Sequence, residues 1–301
     1  MLKTSVYLSA ELKADLADAA ARSGRSEADF IRAAIAAAVQ QVRAGEPLPT
    51  PAPARPAGPV LIGVGVGPGG ADLLTTRAID AIRAADVVFA ASISPDAIGR
   101  AEAVARAALG PLRVTRLVID VAGGPRARAA ALGDAAVRLV ERLDRGEVVA
   151  FLTIGDPSLF SVFPALAGAV RTARPGTAVE AVPGVTAFQE LAARSGTVVG
   201  ADGGSVRIVA VGRDADAPAA LVRDSLARPG ETLVLYRGGR SVPAIARDLV
   251  AAGRASEAVV GELLGLPGER CAPVEEYLEG PASYLASLIA PAAPARARSS
   301  A

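Results

Sequence analysis

The chain has 301 residues, 51% of them hydrophobic but only 3% aromatic, so its core must be built from alanine, valine, leucine and isoleucine, a composition that points to α/β layers. A formal net charge of +1 supplies no global field for a polyanion, so any nucleic-acid contact must be local. Histidine is absent and cysteine occurs once, at Cys271, which excludes serine–histidine and cysteine–histidine catalysis, histidine zinc sites and an internal disulfide framework.

Residues Leu2–Leu8 alternate, with Leu2, Thr4, Val6 and Leu8 on one side and Lys3, Ser5 and Tyr7 on the other, which predicts a strand. A helix capped by Ser9 follows, with Leu12 and Leu16 on its apolar face, and Gly24 ends it. Ser26 caps a second helix whose Phe30, Ile31 and Ile35 face inward. Roughly 40 residues with one strand and two helices cannot bury a core alone, and pairing the strand with that of a second copy solves the problem. The segments Lys3–Leu12 (KTSVYLSAEL) and Gly24–Ile35 (GRSEADFIRAAI) resemble the ribbon-helix-helix family. That resemblance implies a dimer whose paired strands enter the DNA major groove, with Lys3, Ser5 and Tyr7 reading bases and Ser26 at a phosphate. Residues 1–45 hold six basic against five acidic side chains, a thin balance for binding a polyanion. A dimerisation module that binds no DNA therefore stands beside the DNA-binding reading.

Glu46–Pro59 (EPLPTPAPARPAGP) alternates proline with small residues and reads as an extended, semi-rigid linker. Val60–Val66 then predicts a strand, Asp72–Ala84 a helix with Leu73, Leu74, Ile79 and Ile82 apolar, Asp86–Phe89 a strand, and Val148–Thr153 a fully buried one. Further strands are expected at Val206–Val211, Thr232–Tyr236 and Ala258–Val260, with a helix over Ser241–Ala251. Short apolar strands alternating with helices imply a mostly parallel sheet covered on both faces. The looser spacing of the C-terminal half implies a second sheet. Pro291–Ala301 reads as a disordered tail.

Gly65-Val66-Gly67-Pro68-Gly69-Gly70 formally matches GxGxxG between a strand and a helix, the dinucleotide fingerprint. Pro68, however, has no N–H for a pyrophosphate. Asp86–Phe89 also runs on into Ala90-Ala91-Ser92 with no acid for a ribose hydroxyl. A bare strand-to-helix turn fits the motif as well. Two later turns add weight: Gly155-Asp156-Pro157-Ser158-Leu159-Phe160-Ser161 and Val182-Pro183-Gly184-Val185-Thr186-Ala187-Phe188 both leave a strand and start a helix. In a parallel sheet such ends line one crevice, so the three turns point to a small ligand held largely by backbone groups. Taken singly, Asp156 is also explained as a turn-former or helix cap, and Thr186 as a cap.

Together these segments resemble the tetrapyrrole methylase family. Gly65–Val88 (GVGPGGADLLTTRAIDAIRAADVV) is similar to its first motif, Phe151–Ser161 (FLTIGDPSLFS) to its second and Val179–Gly196 (VEAVPGVTAFQELAARSG) to its third, in the family's order. The resemblance covers Val60–Ile289 and implies two α/β domains with S-adenosylmethionine folded in the cleft between them, in a homodimer. On it the chain divides into a ribbon-helix-helix module (1–45), the linker (46–59), an N-terminal α/β subdomain (60–175), a C-terminal α/β subdomain (176–290) and the tail (291–301). Carried over position by position, cofactor contacts fall at Pro68, Gly155, Asp156, Leu159, Thr186, Ala187, Arg237 and Leu264. Gly99–Leu109 (GRAEAVARAAL), the Leu-Phe-Ser after Asp156-Pro157, and Leu235–Arg240 (LYRGGR) are most similar to precorrin-2 C-20 methyltransferases. Gly69-Gly70-Ala71-Asp72 departs from the family's frequent Gly-Asp/Glu-Pro-Glu, and Arg237 stands where Met or Lys is commoner. These departures bear on the substrate more than on the cofactor.

A sulfonium cofactor already activates its methyl group, so the protein's task is alignment and no strong general base is required, in keeping with the absence of histidine. No catalytic residue or metal ligand is assigned. The substrate, precorrin-2 or cobalt-precorrin-2, bears many carboxylates, and Arg194, Arg237 and Arg240 flank the ligand turns as candidate partners for them. They read equally as ordinary surface arginines. A methylase of another tetrapyrrole position remains an alternative. So does a DNA-binding regulator that uses a degenerate methylase domain as a tetrapyrrole or cofactor sensor. A lone cysteine, the lack of a basic-then-apolar leader and the lack of an uncharged membrane-length stretch predict a cytoplasmic protein without a membrane segment.

Overall fold

A computed structural model describes residues 10–44, 56–119, 124–211, 216–228, 230–237 and 239–292. The chain divides into two units, Met1–Ala52 and Pro53–Ala301.

In the first unit, helix α1 (Ala10–Arg22) turns at Gly24, φ +66°, into α2 (Glu27–Arg43). As expected, Ser26 is the N-cap of α2, its hydroxyl accepting the Asp29 N–H at 3.2 Å. The helices meet over Ala20, the buried residue of the pair. Leu16, Phe30 and Ile31 are half-buried. Ile35, expected to face inward, is instead 53% exposed, and Val39 and Val42 continue the same outward stripe. Two short helices have only one mutual face, and an alanine contact is too small to enclose a second apolar row. The Leu2–Leu8 strand, the Ser9 cap and with them Lys3, Ser5 and Tyr7 lie outside the described residues.

The second unit contains two five-stranded sheets. Strand β1 (Val60–Gly65) is buried throughout and leads through a 3-10 turn, Ala71–Leu73, into α3 (Thr76–Ala84). That helix starts four residues later than the sequence pattern predicts, because Leu74 is extended and Thr75 supplies the cap, accepting the Ala78 N–H at 3.1 Å. Strand β2 (Val87–Ser92), α4 (Arg100–Leu109), β3 (Thr115–Val118), α5 (Gly124–Leu143), β4 (Val148–Thr153), α6 (Phe163–Ala173) and β5 (Ala178–Val182) follow. The sheet is all parallel in the order β3-β2-β4-β1-β5. Ile82, Val104 and Ala105 of α3 and α4 pack on one face, while Leu139, Leu143, Leu166 and Val170 of α5 and α6 pack on the other. Both faces being covered explains the unbroken apolar run Val148–Thr153. Because β5 pairs with β1, Ala178–Val182, expected in the second subdomain, lie in this first sheet.

After α7 (Ala187–Ser195) the chain forms β6 (Ser205–Ala210), α8 (Asp216–Leu226), β7 (Glu231–Tyr236), α9 (Val242–Ala251), β8 (Val259–Glu262), β9 (Arg270–Pro273) and β10 (Ser287–Ala290). This sheet, β6-β7-β10-β8-β9, is mixed: β6 and β7 are parallel and the other pairs antiparallel. Val222 of α8 and Ile245 and Leu249 of α9 cover one face, and Leu191 of α7 covers the other. Pro291 and Ala292, expected to open the tail, are fastened. Buried Arg254 donates to the Pro291 carbonyl at 2.8 Å, and the Ala292 N–H donates to Thr232 Oγ1 at 3.0 Å.

Candidate functional site

Glycine lets the ends of β1 and β4 and the segment after β5 touch backbone to backbone. Gly67 and Gly155 form an isolated antiparallel bridge, the Gly155 N–H donating to the Gly67 carbonyl at 2.7 Å. A Cβ on Gly184 would lie 2.2 Å from the Gly155 carbonyl oxygen, and one on Gly65 would lie 2.7 Å from the Gly184 nitrogen. No side chain fits at either place. Asp156 locks the crossing. Its Oδ2 accepts the Gly184 N–H at 3.0 Å, while Oδ1 accepts the Ser158 N–H at 2.8 Å and the Ser158 hydroxyl. The carboxylate thus bridges the second and third turns.

The third turn ends in α7. The Thr186 N–H and hydroxyl donate to Gln189 Oε1 at 2.9 and 2.8 Å. Also in that first turn, the Phe188 N–H donates to the Tyr236 hydroxyl at 3.2 Å. Burial pushes the Tyr236 phenol above its ordinary value. Its ring meets Phe160 and Phe188 edge-on, with centroids 5.6 and 6.3 Å away.

Two further contacts join the first sheet's turns to the second sheet. A Cβ on Gly265 would lie 2.2 Å from the Gly70 nitrogen, so the first turn runs directly against Leu264–Gly265. The Arg237 guanidinium donates to the Phe160 carbonyl. Between these contacts lies an open cleft. All eight residues given to the cofactor in the sequence reading line it: Pro68, Gly155, Asp156, Leu159, Thr186, Ala187, Arg237 and Leu264. Phe160, Tyr236, Leu263, Leu285 and Ser287 also contribute; Phe160 and Tyr236 stood in quoted motifs without a cofactor role, and nothing in the sequence marked Leu285 or Ser287. Tyr236 and Phe160 adjoin residues that were named. Ser287 could be found only from the register of β10, a strand too short to stand out.

Among the described residues, the non-glycine residues with positive φ are Phe160 (49°), Arg237 (59°) and Leu263 (50°), and all three line this cleft. The left-handed conformation costs about 1–2 kcal/mol per such residue, and strain of this kind collects where a site must be held in a set shape. The cleft is therefore shaped by its backbone before any ligand enters.

The other candidates fall elsewhere. Arg194 does not line the cleft. Its guanidinium pairs with Glu190 at 2.5 Å and Glu269 at 2.7 Å, and the Glu190 hydrogen bond raises its pKa. Held by two carboxylates, it has little charge to offer a substrate carboxylate. Arg240 is exposed, outside the lining. Ser26 caps α2, and Glu27 and Asp29 in the same first turn place negative charge where a phosphate would have to sit. Among the described residues no cluster of three metal-ligating side chains occurs, and no helix is long and apolar enough to cross a membrane.

Two α/β layers meeting at a glycine-walled cleft define a class of small-ligand enzymes, and comparison with known proteins places the chain within it. The family described as Tetrapyrrole (Corrin/Porphyrin) Methylases matches residues 60–277, and the chain belongs to that family. It is similar to a precorrin-4 C(11)-methyltransferase of Rhodococcus erythropolis, 34% identical over 192 residues that cover 62% of this chain and 70% of that protein. It is also similar to a precorrin-2 C(20)-methyltransferase of Sinorhizobium sp, 29% identical over 240 residues covering 77% and 94%. Among solved structures, uroporphyrin-III C-methyltransferase from Thermus thermophilus complexed with S-adenosylhomocysteine superposes with a TM-score of 0.51 at 26% identity, covering 77% of this chain and 92% of that one. Tetrapyrrole methylases use S-adenosylmethionine, and the family's chemistry is C-methylation in cobalamin and sirohaem biosynthesis.

Proposed function

We propose that this chain transfers a methyl group from S-adenosylmethionine to carbon 20 of precorrin-2 or cobalt-precorrin-2. The observation that carries the cofactor half is the meeting of the three turns with Arg237 and Leu264 around one preshaped cleft. The donor set fits such a cofactor. Leucine and aromatic side chains offer flat apolar walls for a base, and the glycine turns offer backbone groups for its polar parts. When bound, the cofactor supplies a methyl group already activated on a sulfonium. The protein's part is to hold that group in line with a nucleophilic carbon and to exclude water. Asp156 keeps the Gly184 turn in place, Thr186 and Tyr236 fix the start of α7, and Arg237 ties the two sheets across the opening. Exposed Arg240 is the remaining candidate for a substrate carboxylate.

Carbon 20 is favoured by the breadth of the match. The precorrin-2 C(20)-methyltransferase of Sinorhizobium sp aligns over 94% of its length, against 70% for the precorrin-4 C(11) relative. The homodimer belongs to the same proposal, and so do the domain limits, with the boundary between the two subdomains moved to follow β5. A second reading, a regulator that senses its ligand through the cleft, is favoured by the N-terminal unit, whose outward Ile35, Val39 and Val42 form an apolar stripe suited to pairing. One experiment separates them: incubation of the full chain with methyl-labelled S-adenosylmethionine and precorrin-2 or its cobalt form. The proposal predicts one added methyl, with the label at carbon 20. Label at another carbon would reassign the position. Cofactor binding without turnover, together with a salt-sensitive DNA shift lost on changing Lys3 and Tyr7, would favour the regulator.

A further inference from the structure

Five side chains with polar groups line the cleft, and four of them already have protein partners. Asp156 is held by Gly184 and Ser158, Thr186 by Gln189, Tyr236 by Phe188 and Arg237 by the Phe160 carbonyl. The fifth is Ser287. It is 1% exposed, and its hydroxyl has no hydrogen-bond partner among the described residues.

Register fixes which way that hydroxyl faces. Ser287 heads β10, directly opposite Tyr236 of β7 on one side and Gly261 of β8 on the other. Directly opposed residues put their side chains on the same face of a sheet, so Ser287 shares the face that Tyr236 turns to the cleft. Its surroundings are apolar: a Cβ on Gly261 would lie 3.0 Å from Leu264, and Leu263 and Leu285 line the same wall. A hydroxyl taken out of water without a partner is unfavourable, and in a native protein such a group calls for an explanation. A neighbouring apolar residue would fill the same space without that penalty.

We propose that the Ser287 hydroxyl hydrogen-bonds the polar edge of the cofactor's purine base and so selects an adenosyl ligand. This rests on the cofactor reading above. The assignment to the base follows from the wall: leucines and the Tyr236 ring suit a flat heterocycle with polar groups only at its rim, while the glycine turns opposite offer backbone groups for the sugar and the amino-acid arm.

The test is calorimetric titration of the full chain and of Ser287→Ala with S-adenosylhomocysteine and with 5′-methylthioadenosine, which lacks the amino-acid arm. Loss of one such hydrogen bond should weaken both ligands by about tenfold, by the same factor for each. Ser287→Cys, which keeps a weak donor, should fall between. The ligand-free melting temperature of Ser287→Ala should hold or rise, because an unpartnered hydroxyl has been removed. Unchanged or tighter binding of both ligands by Ser287→Ala would overturn the proposal, and a loss confined to S-adenosylhomocysteine would overturn the assignment to the base. Failure of the wild-type chain to bind either ligand would instead overturn the cofactor reading, and the proposal with it.

Discussion

Glu102 of α4 is a carboxylate with no solvent exposure, and it is held by two arginines. Arg116 of β3 grips it at 2.7 and 2.9 Å and also donates to the Pro95 carbonyl at 3.0 Å, while Arg106 reaches it at 2.8 Å. The cluster pins the β2–α4 loop to the edge of the first sheet. The Arg116 hydrogen bond holds the Glu102 carboxyl below its ordinary value near 4.5, against the opposing effect of burial. A carboxylate with a depressed folded-state pKa stabilises fully above its unfolded-state value, and that stabilisation is lost as pH falls through the lower folded-state value. Glu102→Gln should therefore cost stability at pH 7, and the gap from wild type should close as pH falls through the lowered folded-state value. Removing one member of a buried pair typically costs about 3–5 kcal/mol. Both arginines keep partial access to water, so about 2 kcal/mol is expected here, read from urea unfolding at pH 7 and repeated down to pH 3. Glu102 and Arg106 stand four apart on one helix, but nothing local marked the burial of that pair, because Arg116, which completes it, stands 14 positions away on another element. Asp156, which lines the cleft, was legible as a candidate. Its work of bridging two turns was not, since the Gly184 N–H is 28 residues distant.

At the scale of elements, the three turns were readable because each sets glycine and proline immediately after an apolar run, and such punctuation is local. The same rule explains why they converge, since parallel strands end on one side of their sheet. What local pattern could not supply was pairing. β5 is a half-exposed edge strand whose place beside β1 depends on tertiary contact, and β9 and β10 are four-residue strands without a periodic signal. Glycine chemistry gives a sharp contrast. Gly184→Ala sets a Cβ 2.2 Å from a backbone oxygen in the turn crossing, so about 3 kcal/mol of stability should go, together with binding of S-adenosylhomocysteine. Gly168→Ala, inside α6 with open space around it, should stabilise by up to about 1 kcal/mol and leave binding alone. Equal effects from both substitutions in thermal unfolding and ligand titration would contradict the account of the crossing.

At the scale of the molecule, the sequence motifs converge on one cleft, while the architecture around it depends on strand pairing. All eight residues given to the cofactor stand around one cleft, although they come from turns spread between positions 68 and 264. The three candidate substrate arginines diverged: Arg237 lines the cleft, Arg194 is drawn into a pair of carboxylates and Arg240 is exposed, because arginine follows its nearest acid and that is a matter of folding. The second unit contains the whole cleft, with both sheets contributing walls that meet through Gly70–Gly265 and Arg237–Phe160. The central claim is that this cleft holds the methyl donor. The most direct measurement is a crystal structure of the full chain grown with S-adenosylhomocysteine. The ligand should lie in the cleft against Pro68, Gly155 and Leu264, with Phe160, Arg237 and Leu263 keeping their left-handed backbone. Ligand bound at any other place, or a cleft that remains empty at saturating concentration, would contradict it.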